Sequence, residues 1–329
     1  MGGTAMKSQK RLAAAVIVIL ATSVLAPVRA HGWGKTWLGV SLEQIVGAAR
    51  YRLGPLRYDA AFRIGNAGYD SDIYFGQLKN PVPDGSFTAG PAVNLYLPLW
   101  RGVVLNVTES PEYVFFLKTR RERTWNNRFR GQLHAAAGAF YFQAGGGADD
   151  VKTRMSTELF LNVRYKMKDL GGFVLWQAGR TASLVLQYRQ ADYSYENPDQ
   201  EEIDIRSNLD RREDLVSFTA YLFRIAKASI FASVESNRFH LKSKLSEFRD
   251  SRSIAVYAGA EFFPLPSSLG TAREKILGRV SLGYMRYRVP DSLFKDYEGF
   301  VGEGGVDARL LRTTAFRLDF ARDVQFSAF

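Results

Sequence analysis

The feature that most constrains this chain is a long alternation between apolar and polar residues. Residues 158–168 show it clearly, because every second residue from Leu159 to Met167 is apolar. The apolar members are Leu159, Leu161, Val163, Tyr165 and Met167, and the polar members are Glu158, Asn162, Arg164, Lys166 and Lys168. A helix would scatter these apolar side chains around its axis, whereas a strand places them on one face. The alternation therefore predicts a β-strand.

The same alternation recurs along the chain, in residues 128–141, 182–189, 216–222, 227–235, 253–262, 279–284, 306–310 and 314–320. Several of these runs reach nine or more residues. Strands of soluble sandwiches have about five or six residues, whereas a strand that crosses a membrane needs about 9–11. The lengths favour a transmembrane barrel over a soluble sandwich.

The connections between the runs alternate in length. Short turns are predicted at residues 98–101, 179–181, 224–226 and 311–313, and longer polar connections at 76–86, 119–127, 144–156, 194–214, 239–252 and 286–299. Bacterial barrels keep short turns at the periplasmic end and long loops outside the cell. The predicted fold class is all-β, an antiparallel up-and-down transmembrane β-barrel.

The first 30 residues have the pattern of a secretory signal peptide. Lys7, Lys10 and Arg11 precede the apolar run Leu12–Leu25, and Ala30 ends a small-x-small cleavage site. As a helix the run would span only about 21 Å, less than the ~30 Å hydrocarbon core. We predict cleavage after Ala30, so that residues 1–30 are the signal peptide and residues 31–329 form the barrel domain.

The polar faces of the predicted strands carry most of their charged residues. In lipid the backbone is satisfied by a closed barrel, and charged side chains then have to point into the lumen. The basic candidates for a lumen-facing position are Arg128, Arg130, Arg164, Arg189, Arg279, Arg309 and Arg317. An excess of inner arginine predicts an anion preference, and the alternative is an interior filled by structural Arg–carboxylate pairs.

The sequence contains little that would support catalysis. There is no cysteine, and the three histidines are His31, His134 and His240. His134 and Ser183 both fall on polar faces, but nothing in the sequence brings them together. Gly145–Asp150 (GGGADD) is interpreted as a Gly-rich loop without the Lys and Ser/Thr of a phosphate-binding loop. We predict no catalytic residue, no cofactor and no metal site, and the scattered charges argue against a nucleic-acid partner.

Several segments resemble the β-barrel porin family of bacterial outer membranes. They are GPLRY at 54–58 through GYDSDIY at 68–74, FTAGPA at 87–92 with LYLP at 95–98, LVLQYR at 184–189 with Asp192-Tyr193, and FARDVQF at 320–326. The resemblance covers most of residues 50–329. It implies an outer-membrane barrel and supplies no functional residues.

The C-terminal residues depart from the pattern expected of a last barrel strand. Phe329 is aromatic, but Ser327 and Gln325 occupy the alternate positions before it, where apolar residues are expected. The chain reads as about 11 or 12 strands by its periodicity. Because an open barrel would leave unpaired edges in lipid, we expect a C-terminally truncated sequence whose last strands follow Phe329.

The leading functional hypothesis is a porin-like pore or passive channel in the outer membrane for an unidentified small solute. The second is a structural or anchoring barrel with a filled lumen, linked to export of envelope polysaccharide. The third is a soluble periplasmic β-protein. The expected partners are outer-membrane lipid, lipopolysaccharide and the barrel-assembly machinery.

Overall fold

The computed structural model describes most of the predicted barrel domain. The described residues are 42–47, 49–73, 82–154, 162–179, 181–197, 204–225, 228–262, 276–290, 296–309 and 315–322. The predicted signal peptide and its cleavage site lie outside the described residues, as do Leu159 and Leu161.

The described residues form strands with two short helices. The helices are α1 Leu42–Gly47 and α2 Ile205–Leu209, and the strands are β1 Tyr51–Leu53, β2 Leu56–Asp70, β3 Asp84–Trp100, β4 Val103–Glu109, β5 Glu112–Phe116, β6 Thr124–Ala137, β7 Phe140–Arg154, β8 Asn162–Gln177, β9 Ala182–Tyr195, β10 Arg211–Ile225, β11 Ala228–Leu241, β12 Ser251–Phe262, β13 Ile276–Arg288, β14 Tyr297–Arg309 and β15 Ala315–Arg322. No helix among these residues has the length and apolar character of a membrane-spanning segment.

The strands form one antiparallel sheet of 15 strands in up-and-down order. Each strand pairs with the next along the chain, except that β4 and β5 share the space between β3 and β6. This arrangement confirms the predicted fold class. Within the described part of the chain, β1 and β15 are the two ends of the path.

The interruption between β4 and β5 depends on Gly90 of β3. A Cβ at this position would lie 2.0 Å from the carbonyl oxygen of Pro111, which is closer than any side chain allows. A glycine is therefore required where the segment between β4 and β5 passes close to β3.

Asp84, the first residue of β3, binds the turn that follows β5. Its carboxylate accepts hydrogen bonds from the backbone N–H of Lys118, at 3.0 Å, and of Thr119, at 2.7 Å. Burial raises the pKa of Asp84, but these donors outweigh it and the pKa falls to about 2. The charged carboxylate thus joins the start of β3 to the turn that precedes β6.

The two faces of the sheet have opposite character. Along β10, β11 and β12 the side chains of Ser217, Ser229 and Ser253 are buried, while those of Phe218, Ile230 and Ile254 are 44%, 47% and 56% exposed. We call the face with the buried serines the inner face and the opposite one the outer face. A water-soluble protein buries its apolar face, so this distribution is that of a sheet whose outer face contacts lipid.

The apolar outer face is not covered by a second layer of sheet, because all the described strands belong to one sheet. Large apolar side chains remain exposed on its outer face from β2 to β15, for example Phe62 at 72%, Leu282 at 69% and Phe316 at 52%. The packed sandwich expected of a soluble periplasmic β-protein is therefore not what the described strands form.

The connections follow the predicted alternation. Within the described residues, the connections 101–102 and 138–139 are short and lie at one end of the sheet, whereas the connections 117–123 and 242–250 are longer and lie at the other end. Residues 263–275, between β12 and β13, lie outside the described residues.

The predicted faces of β8 are wrong. Val163 and Met167 are buried on the inner face, at 1% and 6% exposure, whereas Arg164, Lys166 and Lys168 lie on the outer face. The apolar residues point inward here because helix α2 supplies a small protein core, in which Ile205 packs with Val163. The cations point outward because this part of β8 extends beyond the apolar belt, where water replaces hydrocarbon.

Two further predictions from the sequence are corrected around β7. The GGGADD segment at 145–150 lies within β7 and pairs with both β6 and β8, so it is not a loop. The predicted run 128–141 has Tyr141 in the same phase of the alternation as the apolar Phe129, but Tyr141 is on the inner face and is only 2% exposed. The turn at Gly138, which has φ +57°, changes the phase of the alternation between β6 and β7.

Candidate functional site

The structure places four of the seven candidate arginines on the inner face. They are Arg128 and Arg130 on β6, Arg189 on β9 and Arg279 on β13. Arg164 is a correction: it lies on the outer face, where its Nε donates to Asp150 at 2.7 Å. Arg309 and Arg317 belong to β14 and β15, but their side chains lie outside the described residues.

Arg130 is the centre of an acid–base cluster on the inner face. Its two terminal nitrogens donate to Asp149 of β7 at 2.6 and 2.9 Å, and Asp169 of β8 lies 3.7 Å away. Two parallel N–H···O bonds fix the planar guanidinium against the carboxylate. One arginine therefore ties three consecutive strands together along the wall.

Gly147 makes this arrangement possible. It lies opposite Arg130 on β7, and a Cβ there would come within 2.3 Å of the Arg130 guanidinium. The glycines of the GGGADD segment thus leave a gap across which Arg130 reaches Asp169. A glycine inside a strand often marks such a close approach, and this was the signal in the sequence that the loop interpretation missed.

A second inner cluster, the tyrosine cluster, lies towards the long-loop end. It comprises Tyr165, Tyr193, Tyr195, Arg211 and Glu213. Arg211 donates to Tyr195 Oη at 2.9 Å and to Glu213 at 2.7 Å, and its guanidinium carbon lies 4.4 Å from the centre of the Tyr193 ring. The ring and the carboxylate together hold the cation against the wall.

Helix α2 covers the tyrosine cluster from the connection between β9 and β10. Asp204 accepts the N–H of Ser207 and caps the helix, and hydrogen bonds from Ser207 and Asn197 lower the pKa of its carboxyl. Ile205 and Leu209 are buried at 1% and 4% exposure against Val163 and Tyr195. The predicted external loop at 194–214 thus contains a short helix, and Ile205 and Leu209 have the i, i+4 spacing of one helix face.

A third inner cluster lies towards the short-turn end. Tyr221 of β10 donates to Glu261 of β12 at 2.7 Å, and Arg279 of β13 stacks over the ring of Phe231 at 4.1 Å. Ser183 and Ser229 are fully buried beside these strands. This cluster links four neighbouring strands, β10 to β13, on the inner face.

His134 contacts Tyr141 and does not contact Ser183. His134 Nδ1 lies 2.7 Å from Tyr141 Oη, and both side chains are buried. Ser183 is on β9, three strands from β6 in the sheet. His240 binds Asp250 at 2.6 Å, and the described residues contain no group of His, Asp and Glu arranged to hold a metal ion. His31 lies outside the described residues.

Comparison with known proteins supports the same class of fold. Residues 180–328 match the family model described as "Putative beta-barrel porin 2", which confirms the resemblance seen in the sequence. None of the curated proteins matches this chain.

A search of solved structures matches two forms of one outer membrane protein at low similarity. In vitro folded OmpT, an outer membrane protein of Vibrio cholerae in its trimer form, is 12% identical, with a TM-score of 0.35 over 80% of this chain and 97% of that one. Its loop L8 deletion mutant is 13% identical, with a TM-score of 0.33 over 77% of this chain and 99% of that one.

Proposed function

We propose that this chain, which shares a porin family's pattern over its C-terminal half, forms an outer-membrane β-barrel that conducts small hydrophilic solutes. The observation that carries the proposal is a polar inner face that remains open to water. The Arg128 side chain is 45% exposed and that of Arg130 is 33% exposed, although both have carboxylate partners. Arg189 is exposed on the same face.

The direction of the inner ion pairs supports a hollow barrel. Arg128 binds Glu112 at 3.1 Å across β5 and β6, and Arg130 binds Asp149 across β6 and β7. Both pairs join neighbouring strands and lie along the wall. A lumen filled by structural pairs would instead need contacts between walls that are distant in the sheet.

These pairs also change the expected ion selectivity. A paired arginine presents little net charge to a passing ion, so an anion preference would depend on Arg189, which has no carboxylate partner within the described residues. We infer a weakly selective pore, in place of the strong preference that the count of inner arginines suggested.

A channel requires the two edges of the sheet to be covered, because unpaired backbone groups are not tolerated in lipid. The proposal assigns no catalytic role to the chain.

Planar-bilayer recording tests the proposal. Full-length protein, refolded in detergent and shown to be folded by heat-modifiable gel migration, should give stepwise conductance in potassium chloride. Folded protein that gives no conductance at several voltages would exclude the pore.

The second candidate, a structural barrel with a filled lumen, is favoured by the inward position of helix α2. Deletion of residues 198–209 with a Gly-Ser replacement separates the two functions. A conductance that appears only after this deletion would show that α2 closes the lumen, whereas a similar conductance before and after supports the open pore.

A further inference from the structure

Three arginines lie side by side on the outer face, at the long-loop end of the sheet. Arg238 of β11 is directly opposite Arg252 of β12, and Arg252 is directly opposite Arg288 of β13. Neighbouring strands are about 4.8 Å apart, so three positive charges are held within about two strand spacings. Like charges in such positions destabilise a sheet, so this arginine row needs an explanation beyond the fold.

Nearby carboxylates do not neutralise the arginine row. Within the described residues Arg238 and Arg252 have neither an ion pair nor a hydrogen bond, and Arg288 has only Asp296 at 3.9 Å. The Nε of Arg288 is buried without a hydrogen-bond partner. Asp250 is already engaged by His240 at 2.6 Å and by the Leu241 N–H at 2.8 Å.

A cavity of about 690 Å³ opens between the three arginines. His240, Asp250 and Asp296 also line it. The row, the buried Nε and the cavity together form a site suited to a group with several negative oxygen atoms.

The height of the row identifies the environment of the site. On the same face of β12, Ile254 and Val256 follow Arg252 and are 56% and 53% exposed. Val234 of β11 lies directly opposite Val256. One step along a strand face is about 6.6 Å. The arginine row therefore lies one step above the apolar belt, at the level of lipid headgroups, and on the face opposite to the lumen.

We propose that Arg238, Arg252 and Arg288 bind the phosphate groups of an outer-leaflet glycolipid. Guanidinium groups match phosphate with paired hydrogen bonds, and the adjoining apolar belt would contact the acyl chains of the same molecule. The site is separate from the proposed pore, although both depend on insertion of the barrel in the membrane.

Binding of lipid A to the refolded full-length protein tests the proposal. The probes are nanodiscs with bisphosphorylated lipid A and nanodiscs with the same lipid after removal of both phosphates. The wild type should bind the bisphosphorylated form at least about ten-fold more tightly. The double variant R238Q/R252Q should lose that difference and retain its conductance, which distinguishes a failure of this site from a failure of the pore.

The matched control is K166Q/K168Q, which removes two outer-face cations from β8 at the same end of the sheet. It should retain the wild-type preference within about two-fold. An equal loss in both double variants would overturn the site in favour of diffuse surface charge. Complete displacement of lipid A by millimolar inorganic phosphate would show a free-anion site instead of a lipid site.

A further variant covers the case in which R238Q/R252Q does not fold. R238K/R252K keeps the charge and removes the paired geometry. It should still bind the phosphorylated lipid more tightly than the lipid without phosphate, but by a smaller factor than the wild type does. A preference in R238K/R252K equal to that of the wild type would contradict recognition by paired hydrogen bonds.

Discussion

The stability of the Ala258→Arg variant should show directly whether lipid covers the outer face. Ala258 lies on the outer face of β12, opposite Ala232 and Leu282, and is exposed. With a rise of about 3.3 Å per residue and a tilt near 40°, it lies about 15 Å below Arg252 and about 10 Å above Phe262. The distance between those two residues equals the ~25 Å apolar band of a barrel, so Ala258 is close to its middle.

The expected cost follows from this position. Arginine near the membrane midplane costs about 2–4 kcal/mol, which corresponds to a loss of about 30- to 700-fold in the folding equilibrium constant. At Ile254, one step below Arg252, the same substitution should cost about 0–1 kcal/mol. On the surface of a soluble protein both changes would stay within about 0.5 kcal/mol.

The assay is guanidinium titration of protein folded in phospholipid vesicles, followed by tryptophan fluorescence and gel migration. The Ala258→Leu variant is the control for the change of size and should be as stable as the wild type. The reasoning is refuted if Ala258→Arg and Ile254→Arg have the same free energy of unfolding, because only a depth-dependent cost requires lipid.

Three other predictions concern the inner face, the strand break and the turn held by Asp84. Arg189→Gln should shift the reversal potential in a salt gradient towards cation preference, whereas Arg130→Gln/Asp149→Asn, which removes both members of an ion pair, should leave the reversal potential unchanged. Arg130→Gln alone should lower the free energy of unfolding by about 1–3 kcal/mol, because it leaves Asp149 without its charged partner. An equal shift of potential in Arg189→Gln and in the double variant would contradict the difference in pairing. Gly90→Ala should destabilise the protein by at least about 1–3 kcal/mol, since the new Cβ meets Pro111, and urea unfolding measures the loss. The pKa of Asp84 in the folded state is below its ordinary value of 3.8, so its stabilisation of the turn is complete above about pH 5 and is lost as the pH falls towards 2. The rate at which pepsin cleaves the wild type within residues 110–123 should therefore rise as the pH falls from 4 to 2. The Asp84→Asn variant should be cleaved readily throughout this range.

Local sequence was enough to predict the strands and the face on which most of their side chains lie. Along β10 to β13 the alternation of Phe218 with Ser217, or of Ile254 with Ser253, places each side chain correctly. The reason is that successive side chains of a strand must point to opposite faces, whatever the strand pairs with. The choice of lipid for the apolar face follows from strand length, which is also a local property.

Contacts between distant segments decided where the local pattern failed. Val163 on β8 points inward because helix α2, which follows it in the chain, covers it, and no periodicity within β8 shows this. Likewise, Gly147 lies under Arg130 only because β6 and β7 pair in one register.

The sequence by itself determined a β-sheet protein with one apolar and one polar face. The tertiary structure alone decided which charges meet, such as Arg130 with Asp149 on the inner face and Arg238 with Arg252 on the outer face. The physical reason is that alternation depends on the geometry of a single strand, whereas ion pairs and charge rows depend on the register between strands, which backbone hydrogen bonds set across the whole sheet.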